Sequence, residues 1–224
     1  MKYKLSMLII FILSIISINK VYAYFCDIPL LGKIIYLDAG HGGRDPGAKY
    51  NDIAEKDLTL EIVKKLKKEL EGLGATVLLT RDGDYDLSSK ESSNKKRNDL
   101  LKRVNSINNS KCDIYLSIHL NAYPSDKWRG LQIFYDQINP KNKILANVLT
   151  DTLKTELKNI REIKNVNNYY MYSRINIPGV LIETGFITNS SDLYLLKNEK
   201  YQQKLAKTIS KGVINYFNNY KNVV

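Results

Sequence analysis

Cysteine and histidine are scarce in this chain of 224 residues, with two of each. Cys26 and Cys112 are too few to form the disulfide framework of a small secreted scaffold. Two unpaired thiols, with Cys112 buried beside a strand, are the simpler expectation. Internal repeats and low-complexity linkers are also missing, so neither a solenoid nor a string of modules is expected. There is no DNA-binding helix pattern, no RNA-binding signature and no basic arm. Nucleic acid is therefore not an expected partner, although the formal net charge is +11. That charge suits anionic lipid, an anionic polymer, or simply a solvated lysine-rich surface. With 44% hydrophobic and 25% charged residues the composition is that of a folded domain.

The one long apolar run lies at the start. Met1-Lys2-Tyr3-Lys4 is a short positive stretch, Leu5 to Ile18 is apolar or small, and Val21-Tyr22-Ala23 offers small residues at the places a signal peptidase reads. The run is too short to span a bilayer comfortably, so residues 1–23 read as an export signal, or as an uncleaved anchor. Tyr24-Phe25 is too bulky ahead of Cys26 for lipidation. The expected plan is a linker over 24–32, one domain over 33–219 and a tail over 220–224. Its location would be secreted, outside the cytoplasm, with membrane contact only through the N-terminal segment.

Beyond the signal, strand and helix patterns alternate. Lys33 to Leu37, Thr76 to Thr80, Ile114 to Ile118, Leu131 to Tyr135 and Val180 to Ile182 read as strands. Leu58, Ile62, Val63, Leu66, Leu70 and Leu73 fall at helical spacing. So do Leu100, Val104 and Ile107; Ile144, Val148, Leu149, Leu153 and Leu157; and Leu205, Ile209, Val213 and Phe217. The opposite face of the first helix, with Lys64, Lys65, Lys67, Lys68, Glu69 and Glu71, is a solvated charge run. Gly72 and Gly74 end that helix. The alternation predicts an α/β fold: a single three-layer domain, a mostly parallel sheet and helices on both faces.

Both histidines, His41 and His119, fall at or just after the end of an apolar strand, where open α/β sheets build their sites. Imidazole is the commonest protein ligand for zinc, and a catalytic zinc site usually has three protein ligands. Glu55 opens the first long helix and could be the third. It could equally be the acidic residue that a helix N-terminus favours. Glu183 stands inside Gly179-Val180-Leu181-Ile182-Glu183-Thr184-Gly185-Phe186. A carboxylate there is costly unless paired, bonded or protonated. It is either a general base with a raised pKa or the partner of a buried arginine, Arg81 or Arg103. Two imidazoles, one carboxylate ligand and a second carboxylate would together suit metal-assisted amide hydrolysis.

The stretch Ile35-Tyr36-Leu37-Asp38-Ala39-Gly40-His41-Gly42-Gly43-Arg44-Asp45-Pro46-Gly47-Ala48 resembles the first zinc motif of the type 3 N-acetylmuramoyl-L-alanine amidases. Glu55-Lys56-Asp57-Leu58 resembles the second. Leu100, Arg103 and Asn108 match the helix after Thr80-Arg81. Ser117-Ile118-His119-Leu120-Asn121-Ala122 resembles the third motif, and Val180 to Asn189 the fourth. The resemblance runs from Lys33 to Tyr216. It implies a six-stranded sheet and one Zn2+ per chain held by His41, Glu55 and His119, with Glu183 as the catalytic carboxylate. It also implies a peptidoglycan substrate, cut between muramic acid and its peptide stem. The compactness and the closing Tyr201-Gln202-Gln203-Lys204-Leu205-Ala206 are most similar to the spore-cortex, germination-specific members. A vegetative autolysin is the alternative within the family. Outside it stand a wall-peptide peptidase with the same metal chemistry and a silent wall-binding or regulatory protein. A glycosidase would leave the histidine motifs without a purpose. Candidate substrate contacts are Arg81, Asn121, Trp128 and Tyr170, with Tyr169 and Tyr172 beside the last. Lacking wall-binding repeats, the chain is expected to use a docking or activator protein. The stretch from Asn159 to Pro178 leaves little room for a helix that would plug the zinc site, so an open cleft is expected.

Overall fold

The computed structural model describes residues 28–167 and 169–220, together with 7, 11 and 13–15, and the side chains of 219 and 220 are not described. The expected export segment and Cys26 therefore lie almost wholly outside the described residues. No helix among those described is long and apolar enough to cross a membrane.

Six strands form one sheet: β1 (Ile34–Ala39), β4 (Thr76–Leu79), β5 (Ile114–Asn121), β6 (Gln132–Tyr135), β7 (Lys164–Asn165) and β8 (Gly179–Phe186), in the order β4-β1-β5-β8-β6-β7. β4, β1, β5 and β8 are mutually parallel, whereas β6 runs antiparallel to β8 and pairs in parallel with β7. A small hairpin, β2 (Lys49–Tyr50) and β3 (Ile53–Ala54), precedes the first long helix. The helices are α1 (Glu55–Gly72), α2 (Lys95–Asn109), α3 (Pro140–Glu156), α4 (Ser190–Leu196) and α5 (Glu199–Tyr220). The mostly parallel six-stranded sheet is thus as expected.

The two faces are unequally covered. Alternate strand residues, Ile35 and Leu37 of β1 and Ile114, Leu116 and Ile118 of β5, pack with Ile62, Leu66 and Leu70 of α1, Leu149 of α3 and Ile209 of α5 in one buried cluster. The intervening residues Tyr36 and Tyr115 pack with Val104 and Ile107 of α2 and with Met171, Tyr172 and Ile175. That second face has one long helix and an irregular segment in place of a helical layer. The period-two burial follows from side chains alternating across a pleated strand. The expected linker is partly structural: Leu30 is fully buried and its amide donates to the Leu73 carbonyl at 3.0 Å, so the folded body begins ahead of Lys33.

The N-termini of α1 and α2 both open at the carboxyl end of the parallel strands. Ala54 offers α1 no side-chain cap. Its first amides go instead to the preceding loop, Glu55 to the Ala48 carbonyl at 2.9 Å and Lys56 to that of Pro46 at 3.1 Å. The loop and the start of α1 are thereby one unit. Asn94 caps α2 by accepting from the Arg97 amide at 3.0 Å.

Candidate metal centre

His41, Glu55 and His119 come together: one donor atom from each lies within 4.8 Å of the others. His41 Nε2 is 3.2 Å from Glu55 Oε2, and His119 Nδ1 is 3.0 Å from Glu55 Oε1. Two imidazoles and one carboxylate are an ordinary donor set for a tetrahedral cation with one position left open, and these spacings suit ligands gathered about one ion. Both histidine side chains keep about a fifth of their surface exposed, 19% and 18%. Among the described residues, 159–178 carry β7 and one 3-10 turn, Tyr172–Arg174, as their regular elements.

Each member is held. The Glu55 oxygens accept the Ala48 amide at 2.9 Å and the Leu120 amide at 3.0 Å. Burial alone would raise its pKa, but the bonds to His119 and His41 overcome this and hold it well below the carboxylate range. Burial likewise depresses His41, and Glu55 and Asp45 more than reverse it, so its pKa is raised. Asp45 Oδ2 lies 3.0 Å from His41 Nδ1, the carboxylate–imidazole support that metal-ligating histidines commonly have.

Two glycines leave room for these side chains. A Cβ on Gly40 would sit 2.6 Å from His119 Nδ1, with Cε1 and Nε2 closer still. A Cβ on Gly47, whose φ is +66°, would sit 2.5 Å from Glu55 Oε2 and 2.6 Å from His41 Cδ2. His41 itself has φ 61°, unfavourable for a residue with a side chain. Two buried guanidiniums hold that turn in place. Arg103 donates to the carbonyls of His41 at 2.6 Å and Ala39 at 2.7 Å, and Arg81 to those of Gly40 at 2.8 Å and Ala39 at 3.0 Å. Arg103 also pairs with Asp38 at 2.7 Å and Asp99 at 2.8 Å. Asp38 further accepts from Thr80 at 2.8 Å and Ser117 at 2.5 Å. Burial pushes the Asp38 pKa up, but Arg103, His119 and Ser117 outweigh it and bring it to about 2.

Glu183 is the register partner of His119 on the neighbouring strand. Neither Arg81 nor Arg103 pairs with it. Its Oε2 is buried and has no hydrogen-bond partner among the described residues. Burial pushes its pKa up to about 7; the two histidines pull it down and Glu55 pushes it up, both less strongly. The arginine-partner reading of Glu183 is thus excluded by geometry.

The candidate substrate contacts separate. Arg81 is 1% exposed with its donors on backbone carbonyls, so it holds the loop and presents nothing to a ligand; that expectation is corrected. Tyr172 is buried too, its hydroxyl 3.2 Å from Ser117 Oγ. Asn121 ends β5, partly exposed, and accepts the Ala122 amide. Trp128 is exposed, edge-on to Tyr123, with the Arg161 guanidinium 4.7 Å from its ring centre. Tyr170 is half-buried between Arg97 and Arg174, and Tyr169 is exposed. The roles of Asp45, Asp38, Gly40 and Gly47 come from their contacts and not from their residue types. An acid four residues after His41 was a visible sign of the first.

Comparison with known proteins identifies the family. The family model described as N-acetylmuramoyl-L-alanine amidase matches residues 35–215. The germination-specific N-acetylmuramoyl-L-alanine amidase of Bacillus subtilis is 44% identical over 195 residues, covering 85% of this chain and 82% of that protein. The solved structure of the CwlD amidase from Clostridioides difficile in complex with the GerS lipoprotein is 39% identical with a TM-score of 0.79, covering 84% of this chain and 99% of that one. An N-acetylmuramoyl-L-alanine amidase from Clostridium difficile 630 is 34% identical with a TM-score of 0.75, over 83% and 97% of the two chains.

Proposed function

This chain belongs to the N-acetylmuramoyl-L-alanine amidase family, and from that membership and the geometry above we propose that it is a zinc amidase of the spore cortex. It hydrolyses the amide between the lactyl group of N-acetylmuramic acid and the L-alanine of the peptide stem. His41, Glu55 and His119 would hold one zinc ion. When bound, the ion supplies Lewis-acid polarisation of the scissile carbonyl and lowers the pKa of water there.

The protein's own groups do the rest. Glu183 accepts a proton from the attacking water as the new C–O bond forms, then delivers it to the departing nitrogen as the C–N bond breaks. The products are a lactyl carboxylate on the sugar and a free amine on the peptide. A base must be deprotonated near its working pH, and the value near 7 conferred by burial suits that task. A cation beside it would draw the value lower. Asp45 keeps His41 oriented, and Arg81 and Arg103 keep the turn that carries it. The single observation that carries this reading is the unpartnered buried oxygen of Glu183 beside a His–Glu–His cluster. Buried polar atoms without partners are uncommon in folded proteins and call for an explanation.

On this reading the protein works outside the cytoplasm, in the wall or cortex compartment, where peptidoglycan lies. The GerS complex of the Clostridioides difficile relative supports a docking lipoprotein as partner. Mass spectrometry of peptidoglycan digested with and without added zinc is the test. Zinc-dependent release of intact stem peptides with free lactyl groups supports the proposal; split peptides with the lactyl bond intact would replace it with a peptidase.

A further inference from the structure

The first turn of α2 carries Lys95, Lys96 and Arg97, with no acidic residue. Cations at this end oppose the helix dipole, which favours negative charge. Facing them, Tyr170 holds two guanidiniums against one ring, Arg97 at 5.4 Å and Arg174 at 4.1 Å from its centre. Each contact alone is favourable, but two like charges on one ring repel each other. Asn94, Lys96, Arg97, Leu100, Tyr170 and Arg174 line a recess of about 410 Å³, with no carboxylate among the described residues that line it.

Lys96 also lines a second recess, of about 340 Å³, which reaches Asp45. The carboxylates there are engaged: Asp86 by Arg44 at 3.0 Å, Asp99 by Arg103 at 2.8 Å, and Asp45 by His41 at 3.0 Å. Lys96 Nζ is 3.7 Å from Asp45 Oδ2, so the cationic recess stands one carboxylate away from a metal-centre histidine. The aromatic pair Tyr123–Trp128 lies on the loop after β5, with the Arg161 guanidinium over both the Trp128 and Phe186 rings. The cationic recess and the aromatic pair are thus carried by different elements.

We propose that the recess between the first turn of α2 and Tyr170–Arg174 is a subsite for the carboxylates of an acidic peptide, and that Arg97 and Arg174 are its specificity-determining residues. Resting on the amidase reading, this assigns the peptide arm of the substrate to the α2 side and the sugar arm to the Trp128 side. An anionic group between Arg97 and Arg174 would relieve their repulsion and complement the helix end. Neither residue is in the metal centre, so their role is in binding.

The test uses zinc-loaded protein and the stem peptide that the reaction releases, which turnover does not consume. Its binding is measured by calorimetry beside that of a fully amidated counterpart. Amidation is expected to weaken binding about tenfold. The Arg97→Gln/Arg174→Gln variant is expected to lose about tenfold for the free acid and to bind the amidated peptide as the wild type does. Arg97→Lys/Arg174→Lys, which keeps the charges, should stay within about threefold, and circular dichroism checks that each variant folds. On peptidoglycan fragments KM should rise with kcat within about twofold. Equal losses for both peptides, unchanged binding of the free acid by the Gln variant, or no binding of the free acid at millimolar concentration would each overturn the subsite. Failure of the amidase reading shows separately, as no release of lactyl groups from wild-type digests.

Discussion

Gly40→Ala probes the centre with one methyl group. Gly40 follows β1 without the positive φ of Gly42, Gly43 and Gly47, so alanine adds no backbone strain there. The whole effect must come from space. The new Cβ would stand 2.6 Å from His119 Nδ1 and nearer still to two other ring atoms. Ordinary contact needs about 3.5 Å or more, so the imidazole must move by about 1 Å. It has little freedom to do so, because its Nδ1 is held on Glu55 and its neighbour Leu120 donates to the same oxygen. Displacing a metal ligand, or the groups that aim it, typically weakens metal binding about 10–100-fold, and a shift of about 1 Å can slow a reaction by about 100-fold. Zinc affinity is read by competition with a chromophoric chelator, and turnover by lactyl-group release at saturating zinc. We expect zinc affinity to fall by about 10–100-fold, with a circular dichroism spectrum like that of the wild type. Gly72→Ala is the control: it closes α1, has a φ outside the positive range and meets nothing within 4 Å. It should be neutral or slightly stabilising, by up to about 1 kcal/mol. If Gly40→Ala bound zinc within threefold of the wild type and kept full turnover, the close approach to His119 would have no bearing on the metal.

Glu183→Gln should retain stoichiometric zinc by elemental analysis and lose about 10²–10⁴-fold in turnover, the usual worth of a general base; retention of half the activity would make the carboxylate structural. His41→Ala/His119→Ala should lose stoichiometric zinc, and full occupancy would refute the ligand assignment. Asp38, lowered from 3.8 to about 2, contributes stability that is fully present above pH 4 and lost as pH falls toward 2, worth about 2 kcal/mol. Urea unfolding of metal-free wild type and Asp38→Asn at pH 5 and pH 2.5 measures it: the difference between the two proteins should shrink at the lower pH, and a constant difference would remove the linkage.

The parallel strands and long helices were legible because each carries an unbroken apolar period. β1, β5 and β8 alternate between two buried faces, and α1 repeats at three and four residues. What was illegible is short or is set from outside. β7 has two residues, and its place comes from pairing with Phe134 and Tyr135 rather than from propensity. The hairpin of β2 and β3 is just as short, and the first amides of the uncapped α1 go to the carbonyls of Pro46 and Ala48 in the loop ahead of it. Of the centre, the ligand types and their positions at strand ends could be read directly, while the roles of Glu55 and Glu183 stayed ambiguous until four motifs were taken together. Arg81 shows why. An arginine in a polar loop after a strand looks like a ligand contact, and nothing local reveals that three backbone carbonyls from 39, 40 and 56 converge on it.

That convergence fixes the turn that carries His41, one of the three candidate ligands. A glycine-rich turn is entropically expensive to order, and His41 adds an unfavourable φ. Hydrogen bonds to charged donors are stronger than neutral ones, at about 1.5–3 kcal/mol each, and here two guanidiniums supply four to the carbonyls of residues 39–41. Burying two like charges would itself be costly. Arg103 is neutralised by Asp38 and Asp99, whereas the Arg81 pKa is depressed by burial and by Arg103. Removing either carboxylate partner of such a buried pair typically costs about 3–5 kcal/mol. The polar network thus lies behind the metal centre, away from solvent, and it restrains the His41 turn from below. The partly exposed histidines need no lid to stay aligned.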